Sequence, residues 1–143
     1  MIQQLSVFLE NRPGRMAEMA RVLGEAGNNM RAFVIADTAE FGVARIIVDR
    51  PLAAQSALQA AGFGVTVTQM IAVAVPDHPG GLARVLDTLG AAGVNVEYGY
   101  CFVQPDGNVA VDIFRVEDPD AACAALDAAG IRTVSADAIY TLD

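Results

Sequence analysis

Few side chains in this chain are equipped for covalent or acid–base chemistry. There is one histidine, His78, beside Asp77, there are two cysteines, Cys101 and Cys123, and all nine basic residues are arginine. Without lysine, neither Schiff-base chemistry nor the lysine of a phosphate-binding P-loop is available. The cysteines have no CxxC or metal-ligand spacing, and two thiols make no disulfide framework, so a reducing, cytoplasmic setting is expected. No Ser, His and Asp arrangement suggests a nucleophilic triad, so no catalytic residue, metal or other cofactor is expected. What remains is binding chemistry, concentrated in two short loops. One reads Asn11-Arg12-Pro13-Gly14 and the other Asp77-His78-Pro79-Gly80, followed by Gly81. A glycine at a helix start lets a carboxylate approach unpaired backbone N–H groups at the positive end of the helix dipole. Asp77 accepts hydrogen bonds from an ammonium group, and Asn11 does so more weakly. His78 is expected to be a solvated loop residue, with no catalytic partner nearby.

These loops are copies of one another. Residues 11–30 align with 77–96 at an offset of 66, placing Pro13-Gly14 on Pro79-Gly80, Leu23 on Leu89, Gly27 on Gly93 and Asn29 on Asn95. Residues 51–62 align with 119–130 at an offset of 68. Within each copy the hydrophobic period switches in the same order. Leu5, Val7, Leu9 and Ile71, Val73, Val75 alternate as strands do. Met16, Met19, Ala20, Leu23 and Leu82, Val85, Leu86, Leu89 then follow helical spacing, ending at Gly27 and Gly93, where a helix C-terminus takes a left-handed residue. Apolar runs at 30–36 and 96–103 lead into turns at 39–42 and 105–108, third strands at 43–48 and 109–116, Ala-rich helices at 52–61 and 119–129, and closing strands. The order βαββαβ, twice, predicts an α+β protein of two ferredoxin-like units in tandem, with antiparallel sheets, helices on one face and the other face open. The expected domains are 1–70 and 71–143. The stretch 69–75 aligns both with the opening strand of the first copy and with residues 137–143, the expected closing strand of the second, so 65–75 is read as one shared strand.

Charge narrows the partners. The chain of 143 residues has a net charge of -8, which argues against nucleic acid. Residues 1–72 carry six arginines and six acids, and residues 73–143 carry three arginines and eleven acids, so the imbalance is confined to the second copy. The uncharged stretch 51–76 is broken by Gln55, Gln59, Gly62 and Gly64, and reads as a helix and a strand rather than a membrane span. The beginning of the chain lacks a basic n-region and meets Glu10 early, so no export signal is expected.

The twice-repeated x-Pro-Gly turn, helix, and Gly-Asn-Asn or Gly-Val-Asn before strand two resembles the ACT domain family of amino-acid-sensing regulatory modules, over essentially the whole chain. The resemblance implies a tandem ACT protein that binds an amino acid at domain interfaces and modulates an associated metabolic enzyme. It implies ligand-binding positions at Asn11, Arg12, Pro13, Gly14 and Asn29 in the first copy, and at Asp77, His78, Pro79, Gly80, Gly81 and Asn95 in the second. The alternatives are a purely structural subunit of a biosynthetic complex, and a small enzyme using Asp77, His78 and Cys101. Strand parity places Val96, Tyr98, Tyr100 and Phe102 toward the helices. It places Glu97, Gly99, Cys101, Arg31, Phe33, Ile35 and Phe8 on the open face. An exposed apolar sheet face predicts a homodimer, with Arg31 of one copy facing Glu97 of another.

Overall fold

The computed structural model of the chain describes residues 1–37, 41–103 and 107–141. The elements are β1 (Ile2–Glu10), α1 (Arg15–Glu25), β2 (Met30–Asp37), β3 (Phe41–Val48), α2 (Pro51–Ala60), β4 (Gly64–Pro76), α3 (Gly81–Ala91), β5 (Val96–Val103), β6 (Val109–Val116), α4 (Pro119–Ala128) and α5 (Ala136–Tyr140). Of the turns expected at 39–42 and 105–108, residues 39–40 and 105–106 lie outside the described residues. The chain forms two compact units. The N-terminal unit comprises Gln3–Thr68 and the segment from Asp137 onward, and the C-terminal unit comprises Gln69–Ala136 with Met1–Ile2.

In the N-terminal unit the strand order is β2-β3-β1-β4, with β3 antiparallel to both β1 and β2. The alternating Leu5, Val7 and Leu9 of β1 and Ala44, Ile46 and Val48 of β3 face Met19 and Leu23 of α1 and Ala54 and Leu58 of α2. In the C-terminal unit the order is β4-β6-β5, again antiparallel, and Ile71, Val73, Val75, Phe114 and Val116 pack on Val85, Leu89, Ala122 and Leu126. Full burial of such side chains contributes about 1.5–3 kcal/mol each. Proline opens α2 and α4 at the position where its missing N–H and fixed φ do no harm, and Asp118 caps α4 by accepting from Ala121 N at 3.0 Å. Strand β4 runs unbroken for 13 residues and contributes to both units.

Three expectations fail. The closing strand expected at 137–143 does not form among the described residues 137–141. Instead the chain pairs briefly with β4 two residues after Gly130, where Ala74 N donates to Arg132 O at 2.9 Å and Val134 N to Ala72 O at 2.7 Å, and then turns into α5. At the offset of 68 the first copy has Val67-Thr68-Gln69-Met70 here, and β-branched Val67 and Thr68 continue the strand. The second has Ser135-Ala136-Asp137-Ala138, whose alanines favour a helix and whose Ser and Asp favour its start. Tyr140 ties α5 to the N-terminal unit: Gln3 N donates to its hydroxyl at 3.1 Å, and Arg31 Nη2 donates to its carbonyl at 3.0 Å.

The second failure concerns side-chain direction in β2 and β5. Both strands shift register one residue after they begin, between Met30 and Ala32 and between Val96 and Tyr98. Arg31 and Glu97 are therefore the extra residues of β-bulges, and every later side chain changes face. Phe33 and Ile35 stand opposite the core residues Ile46 and Ala44, and Gly99 opposite Phe114, so all three lie on the helix side. Cys101, opposite Asp112, joins them. Tyr98, Tyr100 and Phe102 share the other face with Arg115, Ile113 and Val111. Third, that other face is not open. Gln4, Ser6 and Ile47 in the N-terminal unit, and Ala72 and Ile113 in the C-terminal unit, are buried.

Candidate ligand-binding loops

The Pro-Gly loops take nearly the same backbone path in both units. Gly14 and Gly80 sit before α1 and α3 at φ 90° and 89°, in the left-handed region, and neither helix start is capped by a side chain. A left-handed backbone costs other residues about 1–2 kcal/mol, so glycine is the residue this turn requires. The internal bonds repeat as well. Arg12 N donates to Glu10 O and His78 N to Pro76 O, while Arg15 N donates to Arg12 O and Gly81 N to His78 O. Each loop thus presents the first turn of an uncapped helix, whose N–H groups and dipole favour an anion.

The side chains of the two loops differ. Arg12 is held at 2.7 Å by Glu10, both more than half exposed, and this pairing keeps the Glu10 carboxyl below its usual range. Asn11 and Arg12 line a hollow of about 200 Å³ with Met16 and Ile35. His78 is exposed, with Nδ1 at 3.0 Å from Pro79 O, and Pro13 and Pro79 are exposed. The amide of Asp77 is anchored by donating to Asn108 O at 2.8 Å. Asn29 and Asn95 stand elsewhere. The backbone of Asn29 pairs with Asp49, and Asn95 lines a shallow hollow with Glu117 and Asp118 beyond the C-terminal end of α3. An 11-residue helix is about 16 Å long, so within one unit the loop and its asparagine lie at opposite ends of it.

Two residues with binding chemistry escaped the sequence reading of the site. Asp112 is 7% exposed and lines a hollow of about 260 Å³ with Leu82, Leu86, Gly99, Tyr100 and Cys101. Burial pushes its carboxyl above the usual carboxylate range, against the opposing pull of a hydrogen bond from the Cys101 thiol. Desolvation and the Asp112 charge push that thiol up in turn. A carboxylate with apolar walls is a receptor for an ammonium group. The matching position opposite Ile35 is Ala44, so only the C-terminal unit has this acid. The available signal was one acid in the otherwise apolar run Val109 to Phe114. The second residue, Asn28, is buried in the loop after α1, and neither side-chain amide atom is hydrogen-bonded among the described residues. Among the described residues no three metal-ligating side chains gather.

A family model described as ACT domain pair matches residues 1–140. The chain belongs to the ACT domain pair family. This ACT domain pair is 38% identical to a protein of known crystal structure from Bacteroides thetaiotaomicron, with 99% of this chain and 96% of that one covered and a TM-score of 0.93. It also shares its fold with the regulatory subunits of aspartate kinase from Thermus thermophilus, 19% identical with 90% of each chain covered and a TM-score of 0.65, and from Thermus flavus, 18% identical with 90% and 92% covered and a TM-score of 0.61. No protein of curated function matches it. Among its described residues no helix is long and apolar enough to cross a membrane.

Proposed function

We propose that this ACT domain pair is a non-enzymatic, cytoplasmic regulatory protein that binds a free amino acid and thereby alters its hold on a partner enzyme of amino-acid metabolism. The observation that carries this reading is the duplicated loop, in which a left-handed glycine delivers an uncapped helix start to the surface in both units. The loop amides would take the α-carboxylate, and Asp77 the α-ammonium in the C-terminal unit. Asparagine at the far end of α3 cannot reach the same small molecule within one unit, which supports completion of the site by a second copy of the chain.

Homodimerisation is therefore part of the reading, through a different surface from the one that alternation indicates. Arg31 and Glu97 are engaged within their own units, with Tyr140 O and with Arg115 at 3.4 Å. Phe8 is exposed on the face that alternation indicates, but Met16, Phe33 and Ile35 in one unit and Leu82 and Leu86 in the other lie exposed on the helix side. Covering such patches is a common basis of self-association. A wild-type protein that sediments as a monomer at micromolar concentration would overturn the dimer.

The test is a thermal-shift screen against the twenty amino acids, followed by calorimetry. A ligand at 100 times its dissociation constant adds about 2.7 kcal/mol of stability. A selective hit that Gly80→Ala abolishes supports the reading, and no shift with any amino acid refutes it in favour of a structural subunit.

A further inference from the structure

We propose that the C-terminal unit carries a second site, for a small organic anion without an ammonium group, in the cavity between the start of α3 and the stretch that follows α4. The cavity measures about 280 Å³, near the lower end of small-molecule sites. Its walls include Ala74, Val85, Val109 and Ile131, and its polar side chains are Arg84, Arg132 and His78. Among the described residues neither Asp77 nor any other carboxylate lines it. Residues 73–143 hold three arginines against eleven acids, yet two of those three arginines and the chain's one histidine converge here. Arg84 is fixed in place by donating from Nη2 to Ala129 O at 2.9 Å, which leaves further N–H groups available. The Arg132 guanidinium has no partner among the described residues.

The other repeat fills the corresponding place from within. The positions matching Ala74, Gly81, Arg84, Ile131 and Arg132 are Phe8, Arg15, Glu18, Phe63 and Gly64. There Arg15 lies 4.2 Å over the Phe63 ring and binds Glu18 at 2.7 Å, its side chain only 12% exposed, while Phe8 lies against Gly64. An internal arginine–carboxylate pair and two aromatic rings occupy the site. In the C-terminal unit the arginine is replaced by Gly81, where a Cβ would strike Pro76 O, both rings by smaller side chains, and the glutamate by Arg84. Two arginines remain, and the carboxylate they would pair with is missing. The geometry points to an anion supplied from solution, a carboxylate or a phosphate ester on a short apolar body, held by charge-assisted hydrogen bonds. An amino acid fits poorly, since no acid among the described residues of the cavity receives its ammonium group.

The test uses the whole chain at fixed ionic strength, with pyruvate, lactate and inorganic phosphate as probes and alanine as the control, read by thermal shift and calorimetry. At least one anion is expected to bind at millimolar concentration. Two substitutions copy the N-terminal unit: Ala74→Phe fills the cavity, and Arg132→Gly removes a surface guanidinium at little risk to folding. Each is expected to weaken binding about tenfold or more. Arg84→Glu supplies the missing carboxylate from within, and is expected to abolish binding while raising the melting temperature of the ligand-free protein. Pyruvate or lactate binding without phosphate binding assigns a carboxylic acid, and phosphate binding of equal or greater strength assigns a phosphate ester. The proposal is overturned if no anion binds, or if binding survives Arg132→Gly. The cavity borders the same loop at His78, Gly80 and Gly81, so the two readings are told apart by ligand: an amino-acid hit without anion binding overturns this proposal alone, and anion binding without an amino-acid hit overturns the other alone.

Discussion

Replacing Asn28 by valine is expected to stabilise the N-terminal unit. The Asn28 side chain is 8% exposed, and neither Nδ2 nor Oδ1 has a hydrogen-bond partner among the described residues. Its counterpart in the second repeat is Val94, which packs against the core of its own unit. The backbone is the same at both places: Asn28 N donates to Leu23 O at 2.9 Å, and Val94 N to Leu89 O at 2.9 Å. Valine therefore fits the backbone conformation of this loop without rearrangement. A buried polar group without a partner costs about 1–3 kcal/mol, and valine removes that cost while adding buried apolar surface. The expected gain is about 1–3 kcal/mol, or several degrees in the melting temperature of a unit this size. Urea unfolding followed by circular dichroism reads it as a higher midpoint at unchanged slope. Asn28→Ala removes the amide but leaves a void, so its gain should be smaller. If Asn28→Val is no more stable than the wild type, the amide is satisfied in solution and the reasoning fails.

Two further outcomes follow from the Asp112–Cys101 pair. The Asp112 carboxyl is raised in the folded state, so its contribution to stability is fully present below its unfolded pKa and is lost as the pH rises through its folded one. Asp112→Asn should therefore match the wild type near pH 4 and exceed it increasingly at higher pH, within about the ordinary carboxylate range and above. A urea-midpoint difference that stays constant with pH would count against it. Cys101 is exposed, but its thiol is pushed up by desolvation and by the Asp112 charge. In a Cys123→Ser background it should react with a disulfide reagent more slowly than free cysteine at about pH 8, and faster once Asp112→Asn removes the charge. Equal rates in the two backgrounds would refute the coupling.

The repeat made most of the fold legible. Two copies of the same switch from alternation to helical spacing place β1, α1, β4 and α3 correctly, because core-facing positions such as Leu5, Val7, Met19 and Leu23 have direct counterparts in Ile71, Val73, Val85 and Leu89. The bulges were not legible. The apolar runs that contain Arg31 and Glu97 carry no mark of a shift, and only the pairing with β3 and β6 reveals the extra residue. For the same reason Asp112 gave no sign that it would share a hollow with Leu82 and Cys101, since cross-strand register decides which side chains meet. Helix α5 was obscured by extending the alignment beyond Thr133, past the point where the two copies diverge in local preference. The loops themselves were visible as glycine positions. The space beside them was not, because it depends on how Arg15 or Gly81 at the start of the following helix packs.

The assignment of the chain's ends has a consequence for dissecting this protein. The segment from Asp137 onward belongs with the N-terminal unit, Met1 and Ile2 belong with the C-terminal unit, and β4 serves both. A gene cut at the repeat boundary would yield two fragments, each lacking a piece that the other carries. The first fragment would lose the Tyr140 contacts to Gln3 and Arg31, and the second would lose Ile2, which is wholly buried. The duplication is thus not divisible at its sequence repeat, because each folded unit takes in a terminal piece from the other's stretch of chain.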